Sequence, residues 1–190
     1  MTFRRHFNER KAAQAAAYLL KRHGGRFNYM ALIKLLYLAD RKKLIECGSL
    51  ISTDRLVSMP HGPALSEIYR RISEGPPHSG ISPWFDYISA PTNYEVSLLG
   101  QDPETDELSR YELRILDSID DEFGSWNVWD LRDYVHRLPE YEDPHGSSHT
   151  IPIERILRVA GKSSEEIAET VADFQAVWAI DRLAYSRREA

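Results

Sequence analysis

Few of the 190 residues combine the type and spacing that catalysis needs. The single cysteine, Cys47, closes an apolar run beside Gly48. A thiolate nucleophile needs a base and a lowered pKa, and no neighbouring residue type supplies either. One cysteine also excludes an intrachain disulfide and a multi-thiolate zinc site, and it points to a reducing, cytoplasmic setting. His145 and His149 stand four apart with Asp143 beside them. On a helix that spacing aligns both rings, but Pro144 and Gly146-Ser147-Ser148 favour a loop. His136 sits in the helix-like run Asp133-Tyr134-Val135-His136 and reads as a hydrogen-bonded structural imidazole. There is no Gly-rich phosphate loop, no G-x-S-x-G turn and no H-E-x-x-H helix. No catalytic residue, metal ligand or cofactor is therefore assigned, and the protein reads as a non-enzyme, with an uncharacterised hydrolase or transferase as the third reading of function.

Binding chemistry is better represented. Lys34, Tyr37 and Arg41 stand at i, i+3 and i+7 and share one helical edge. Tyr and Arg are among the residues most enriched at binding hot spots. His61, Tyr69, Arg70 and Trp84 border the same area if the Gly62-Pro63 corner folds beside that helix. The competing reading puts Tyr37 and Trp84 in the core, with Lys34 and Arg41 snorkelling from it. Reversing Lys34 and Arg41 to Glu is expected to weaken partner binding and leave the fold intact.

The net charge of −5 conceals two halves of opposite sign. Residues 1–80 hold fourteen Lys/Arg against six Asp/Glu, and residues 81–190 hold ten against twenty-three. Such halves imply an electrostatic partner surface or mutual neutralisation; a solvated basic face is the simplest account. Arg4, Arg5, Lys11, Lys21, Arg22 and Arg26 could meet phosphates, which makes a DNA-binding regulator the alternative function. Against it, the second helix opens on Tyr29-Met30-Ala31-Leu32-Ile33, where a recognition helix needs polar side chains. Nucleic acid is not the expected partner.

The elements that must position these residues are mostly helical. Asn8 caps a helix over 9–23, stopped by Gly24-Gly25. Asn28 caps another that ends at Gly48. Its stretch Tyr29–Ala39 is apolar all round, which marks the central helix of the core. Arg55–Met59 reads as a strand, and Pro63 as the first residue of a helix running from Ala64 to Ser73. Residues 75–80 read as a loop. Residues 84–88 and 94–98 read as a hairpin that joins Arg55–Met59 in a three-stranded sheet. Ser109 with Glu112 and Ser163 with Glu166 make capping boxes. They open helices ending near Gly124 and Ser186, with shorter helices over 128–138 and 152–160 and a loop over 141–150 between those two. Ile167, Val171, Phe174, Val177, Trp178 and Leu183 form the buried stripe expected of the last helix. The expectation is a mainly α protein: a single helical domain over 1–190 around a buried central helix, with a small antiparallel sheet. A polar junction near 100–107 precedes a C-terminal helical part over 108–187. No stretch approaches the ~20 apolar residues of a membrane span.

The run Leu32-Ile33-Lys34-Leu35-Leu36-Tyr37-Leu38-Ala39-Asp40 resembles the opening signature of Panacea-domain proteins, the SocA-like antitoxins. Leu56-Val57-Ser58-Met59-Pro60-His61-Gly62-Pro63-Ala64, followed by Ile68-Tyr69, is similar to that family's second signature, although Ala64 replaces a larger aliphatic. Trp129-Asp130-Leu131 through Val135-His136 resembles its C-terminal helix ending in His. The resemblance implies a bacterial or phage antitoxin that neutralises a cognate protein toxin by direct contact, by masking it or by presenting it to a protease. It implies no catalytic residue. Gly62 and Pro63 match as structural positions. Tyr37, Asp40 and Tyr69 match as structural positions or as parts of the binding face.

Overall fold

The computed structural model describes residues 7–78, 81–100 and 103–186. Arg4, Arg5, Ser79 and Gly80, together with positions 101–102 of the polar junction, lie outside the described residues. Helix α1 spans Glu9–Arg22, and the Asn8 side chain accepts from the Lys11 N–H at 3.0 Å. Its five alanines are buried. Strand β1 covers Arg26–Asn28, and Asn28 caps helix α2, Tyr29–Cys47, by accepting from the Met30 and Ala31 N–H groups. Gly48 closes α2 in the left-handed conformation, which glycine adopts without steric cost. Every residue from Ala31 to Asp40 is buried. Around α2 pack α1 and two later helices, α5 (Arg110–Phe123) and α6 (Val128–His136). The all-round apolar run is therefore the central helix, as its composition predicts.

Strand β2, Leu56–Met59, pairs antiparallel with β3, Gly62–Leu65, across the Pro60-His61 turn. This corrects the reading of Pro63 as a first helical residue, since helix α3 spans Ser66–Glu74. A proline cannot donate to a ladder but is tolerated on an edge strand. Strand β3 is such an edge, because β2 has β3 on one side and β5 (His149–Thr150) on the other. The cap of α3 comes from afar. Both Asp54 oxygens accept from the Glu67 N–H at 2.9 Å, and one also accepts from Ile68.

The expected hairpin over 84–98 forms only in part: 87–89 meet 97–99 through an antiparallel Ile88–Leu98 bridge, while most of its first arm is helical. Pro83–Tyr87 is a short helix, α4, with Pro83 in its first turn. The second arm, β4 (Glu95–Ser97), has its ladder with β1, so the molecule holds a two-stranded and a three-stranded sheet among the described residues. Tertiary contacts override the strand propensity here. Trp84 is fully buried, and Glu9 of α1 accepts from the Trp84 N–H at 3.1 Å and from the Ser82 hydroxyl while pairing with Arg71.

Helix α5 starts with the reciprocal Ser109–Glu112 capping box, and α6 is capped by Asn127. The expected loop after α6 is broken by β5, which pairs with β2. Helix α7 is Ile153–Val159 and α8 is Ser164–Ser186, with Ser163 and Glu166 bonded reciprocally. The stripe on α8 is not buried as expected. Ile167, Val171 and Phe174 are half-buried and Val177 is exposed, because α8 packs along α7 and meets the core only at its margin, through Ile167 and Phe174. The side chains of Trp178 and Leu183 lie outside the described part.

The two charged halves neutralise each other rather than leaving a solvated basic face. Arg10 meets Glu104 at 2.7 Å, Lys11 meets Glu112 at 2.8 Å, and Arg26 meets Glu95 at 2.5 Å. Arg22 spans Asp117, Asp120 and Asp121.

Candidate functional site

The central helix carries its polar residues inward. Lys34, Tyr37 and Asp40 are 2%, 0% and 1% exposed. Most of the edge expected to face a partner is therefore enclosed, and Lys34 alone of it borders a cleft. The Tyr37 hydroxyl donates to Glu140 Oε1 at 3.1 Å, and Arg41 grips the same buried carboxylate through Nε at 2.5 Å and Nη2 at 3.3 Å. Burial and the Glu140 charge hold the Tyr37 phenol well above its usual pKa. Asp40 accepts from the Ile51 N–H at 2.6 Å, from the Ser52 N–H at 3.0 Å and from the Ser52 hydroxyl. It ties down the loop that follows α2. Trp84, also expected near this face, lies in the core.

Lys34 points at the β2–β3 hairpin. Its Nζ donates to the Pro63 carbonyl at 2.6 Å, and burial lowers its pKa to about 7. On the other side of the hairpin stands His136, the last residue of α6. A Cβ on Gly62 would lie 2.6 Å from His136 Cδ2 and 3.1 Å from Val135 Cγ2, and Gly62 has φ +92°. Glycine is required there on both counts. His136 stacks on Tyr141 at 4.7 Å, and its Nε2 is buried without a partner among the described residues. Burial first of all, then the nearby Lys34 charge, lowers its pKa against a hydrogen bond to the His61 backbone.

Lys34, His61 and Gly62 of this junction line a cleft of about 1220 Å³. Aromatic residues stand around it: Tyr29, Tyr69, Tyr94 and Trp129. Tyr69, Tyr94 and Trp129 are 38%, 71% and 56% exposed. Tyr94 and Asn93 both have positive φ, +62° and +52°, which is unusual for side chains of any bulk. The turn closes through Thr92 and Glu95, and the Tyr94 carbonyl accepts from the Tyr29 N–H at 3.0 Å. Strained backbone of this kind concentrates at functional positions. The volume exceeds the 300–1,000 Å³ typical of small-molecule pockets and suits a segment of polypeptide.

A family model for the antitoxin SocA-like, Panacea domain matches residues 32–141. The protein belongs to this family. The match runs from within α2 to the residue that stacks on His136, so it spans the junction of Lys34, Gly62 and His136. No curated protein and no solved structure matches the sequence. Three segments distant in sequence converge here: Lys34 from α2, Gly62-Pro63 from the β2–β3 hairpin and His136 from the end of α6.

Of the positions expected to bind a partner, Lys34, His61 and Tyr69 line the cleft. Arg70 pairs with Glu67 and Glu74 on its own helix, outside the cleft. Sequence reasoning missed Glu140, Tyr94 and Trp129 as parts of this region. Glu140 gives no local signal, because its partners lie about a hundred residues away. Trp129 had one: a large aromatic at the start of a helix, opposite the apolar side. The other candidates are not among the residues that line the cleft. Cys47 is exposed with no activating base described. His145 and His149 are exposed, in a turn and in β5 respectively. Among the described residues, no three His, Cys, Asp or Glu side chains group as metal ligands. Lys11, Arg22 and Arg26 pair with the protein's own carboxylates, which weakens the DNA reading. Among the described residues no helix is long and apolar enough to cross a membrane.

Proposed function

We propose that this protein is the antitoxin of a toxin–antitoxin pair and neutralises a cognate protein toxin in the cytoplasm by direct contact, without catalysis of its own. Membership of the Panacea family supports the antitoxin reading. The observation that carries the contact mode is the aromatic cleft: Tyr69, Tyr94 and Trp129 stay exposed around a groove large enough for a peptide segment. Tyr and Trp anchors of this kind dominate binding energy at protein interfaces. Contact either masks the toxin or presents it to a protease, and both need the same grip.

The test is co-expression with the reading frame adjacent to the gene. The wild-type protein is expected to rescue growth. Tyr94→Ser combined with Trp129→Ser is expected to weaken toxin binding by about thirtyfold or more, with an unchanged melting temperature. Rescue by the double variant at wild-type affinity would move the interface away from the cleft. A protease-delivery mode shows as toxin loss in a chase experiment; a masking mode leaves toxin levels constant.

A further inference from the structure

Among the described residues, Lys34 is a buried cation without an anion. It is 2% exposed, its described hydrogen bond goes to a neutral carbonyl, and burial is the sole cause that lowers its pKa. An ammonium has three donors, and Pro63 occupies one. Buried charges are normally paired, because an isolated one loses its hydration with nothing to replace it. Arg41, two turns further along α2, is handled in that ordinary way by Glu140. Lys34 differs in one respect: it borders the cleft. The same region holds a second unsatisfied group, His136 Nε2, behind Gly62.

We propose that the cleft takes a polypeptide segment that delivers a carboxylate to Lys34, with the surrounding Tyr and Trp side chains holding the residues on either side of it. This rests on the antitoxin reading for the identity of the polypeptide but not for the chemistry of the site. The carboxylate completes the ion pair that the protein itself omits. An amine held near neutrality until a carboxylate arrives makes the pocket discriminate against uncharged segments, since those leave a buried donor unmatched. An acidic side chain and the terminal carboxylate of a polypeptide present the same group, and the experiment separates them.

Random peptides displayed with free carboxy termini are selected on the full-length protein. The best binder is then synthesised with each carboxylate converted in turn to its amide, the terminal one included, and titrated calorimetrically. One conversion is expected to weaken binding by about tenfold or more, and the position of that conversion names the source. In Lys34→Met, whose side chain keeps the length without the charge, acid and amide forms are expected to bind alike. Lys34→Gln serves as the second variant should the first fail to fold. In wild-type protein the Lys34 Nζ resonance is expected to titrate at higher pH with peptide bound than without.

The inference is overturned if no peptide is selected, if every amide binds like its acid, or if the preference survives in the Lys34 variants. Displacement of the peptide by a non-specific DNA duplex would also overturn it, by assigning the cleft to nucleic acid. The two readings fail separately. If the wild-type protein does not suppress the adjacent frame's toxicity yet binds carboxylate peptides through Lys34, the antitoxin reading alone falls. If it suppresses toxicity and Lys34→Met binds the toxin as tightly, the carboxylate site alone falls.

Discussion

At the scale of single residues, the polar core is a set of long-range anchors on one helix. Glu140 receives both Tyr37 and Arg41 in a buried setting. Glu140→Ala leaves a guanidinium and a phenol without their acceptor, and is expected to cost about 3–5 kcal/mol in denaturant unfolding. Reversal of Lys34 and Arg41 to Glu, harmless if both faced solvent, is expected to unfold the protein, since it places carboxylates against the Pro63 carbonyl and Glu140. Lys34 also sets a pH dependence. Its pKa is lowered from 10.5 to about 7 on folding, so the unfolded state binds more protons between those values. The stability penalty of burying the charged form is full below pH 7 and is relieved as pH rises toward 10. Lys34→Met is therefore expected to raise the melting temperature, and the measured gain has its sign checked by comparing buffers below and above neutrality. The expected order follows from the direction of the shift: the group lowered on folding binds its proton less tightly in the native state, so proton uptake accompanies unfolding and acid favours the unfolded form. The gain from Lys34→Met is thus expected to be larger at about pH 6 than at about pH 9.

At the scale of elements, α2 and the β2–β3 hairpin hold the site. Leu36 is 3% exposed in the middle of α2, and Leu36→Ala is expected to cost about 2–5 kcal/mol. Gly62→Ala meets both a positive φ and His136, so it is expected to destabilise by about 1–3 kcal/mol and to shift the His136 resonances. Caps and helix limits were legible in the sequence: Asn8, Asn28, Ser109 and Ser163 each start a helix where their side chains accept from the first turn. Strand pairing was not. The residues at 84–88 have strand-forming side chains, yet they coil into α4 because Glu9, some seventy-five residues earlier, takes up the donors of that turn.

At the scale of the whole molecule, the cationic first half is folded against the anionic second half. Exposed pairs contribute little each, but Lys11–Glu112 and Arg71–Glu9 are largely enclosed. Burial pushes the Glu9 and Glu112 carboxyls up, but it is outweighed together by donors from Arg71, Ser82 and Trp84 for Glu9 and from Lys11 and Ser109 for Glu112, leaving both below the ordinary 4.5. The stability they confer is present above that value and is lost as pH falls through their lowered pKa values. Acid unfolding is expected to begin below about pH 4.5, and Lys11→Met is expected to flatten it. Hydrogen exchange is expected to be slowest in α2 and fastest in the described, largely exposed part of α8.

Local chemistry alone determined where helices begin and which helix is central. Those properties depend on residues within a few positions of one another, so a single stretch of sequence holds the whole cause. Tertiary structure alone decided that Lys34 and Tyr37 face inward, that Glu140 and His136 complete the junction, and that Tyr94 and Trp129 frame a cleft. An all-apolar helix has no polar face to reveal its orientation; only the neighbours packed around it settle which side a lysine reaches.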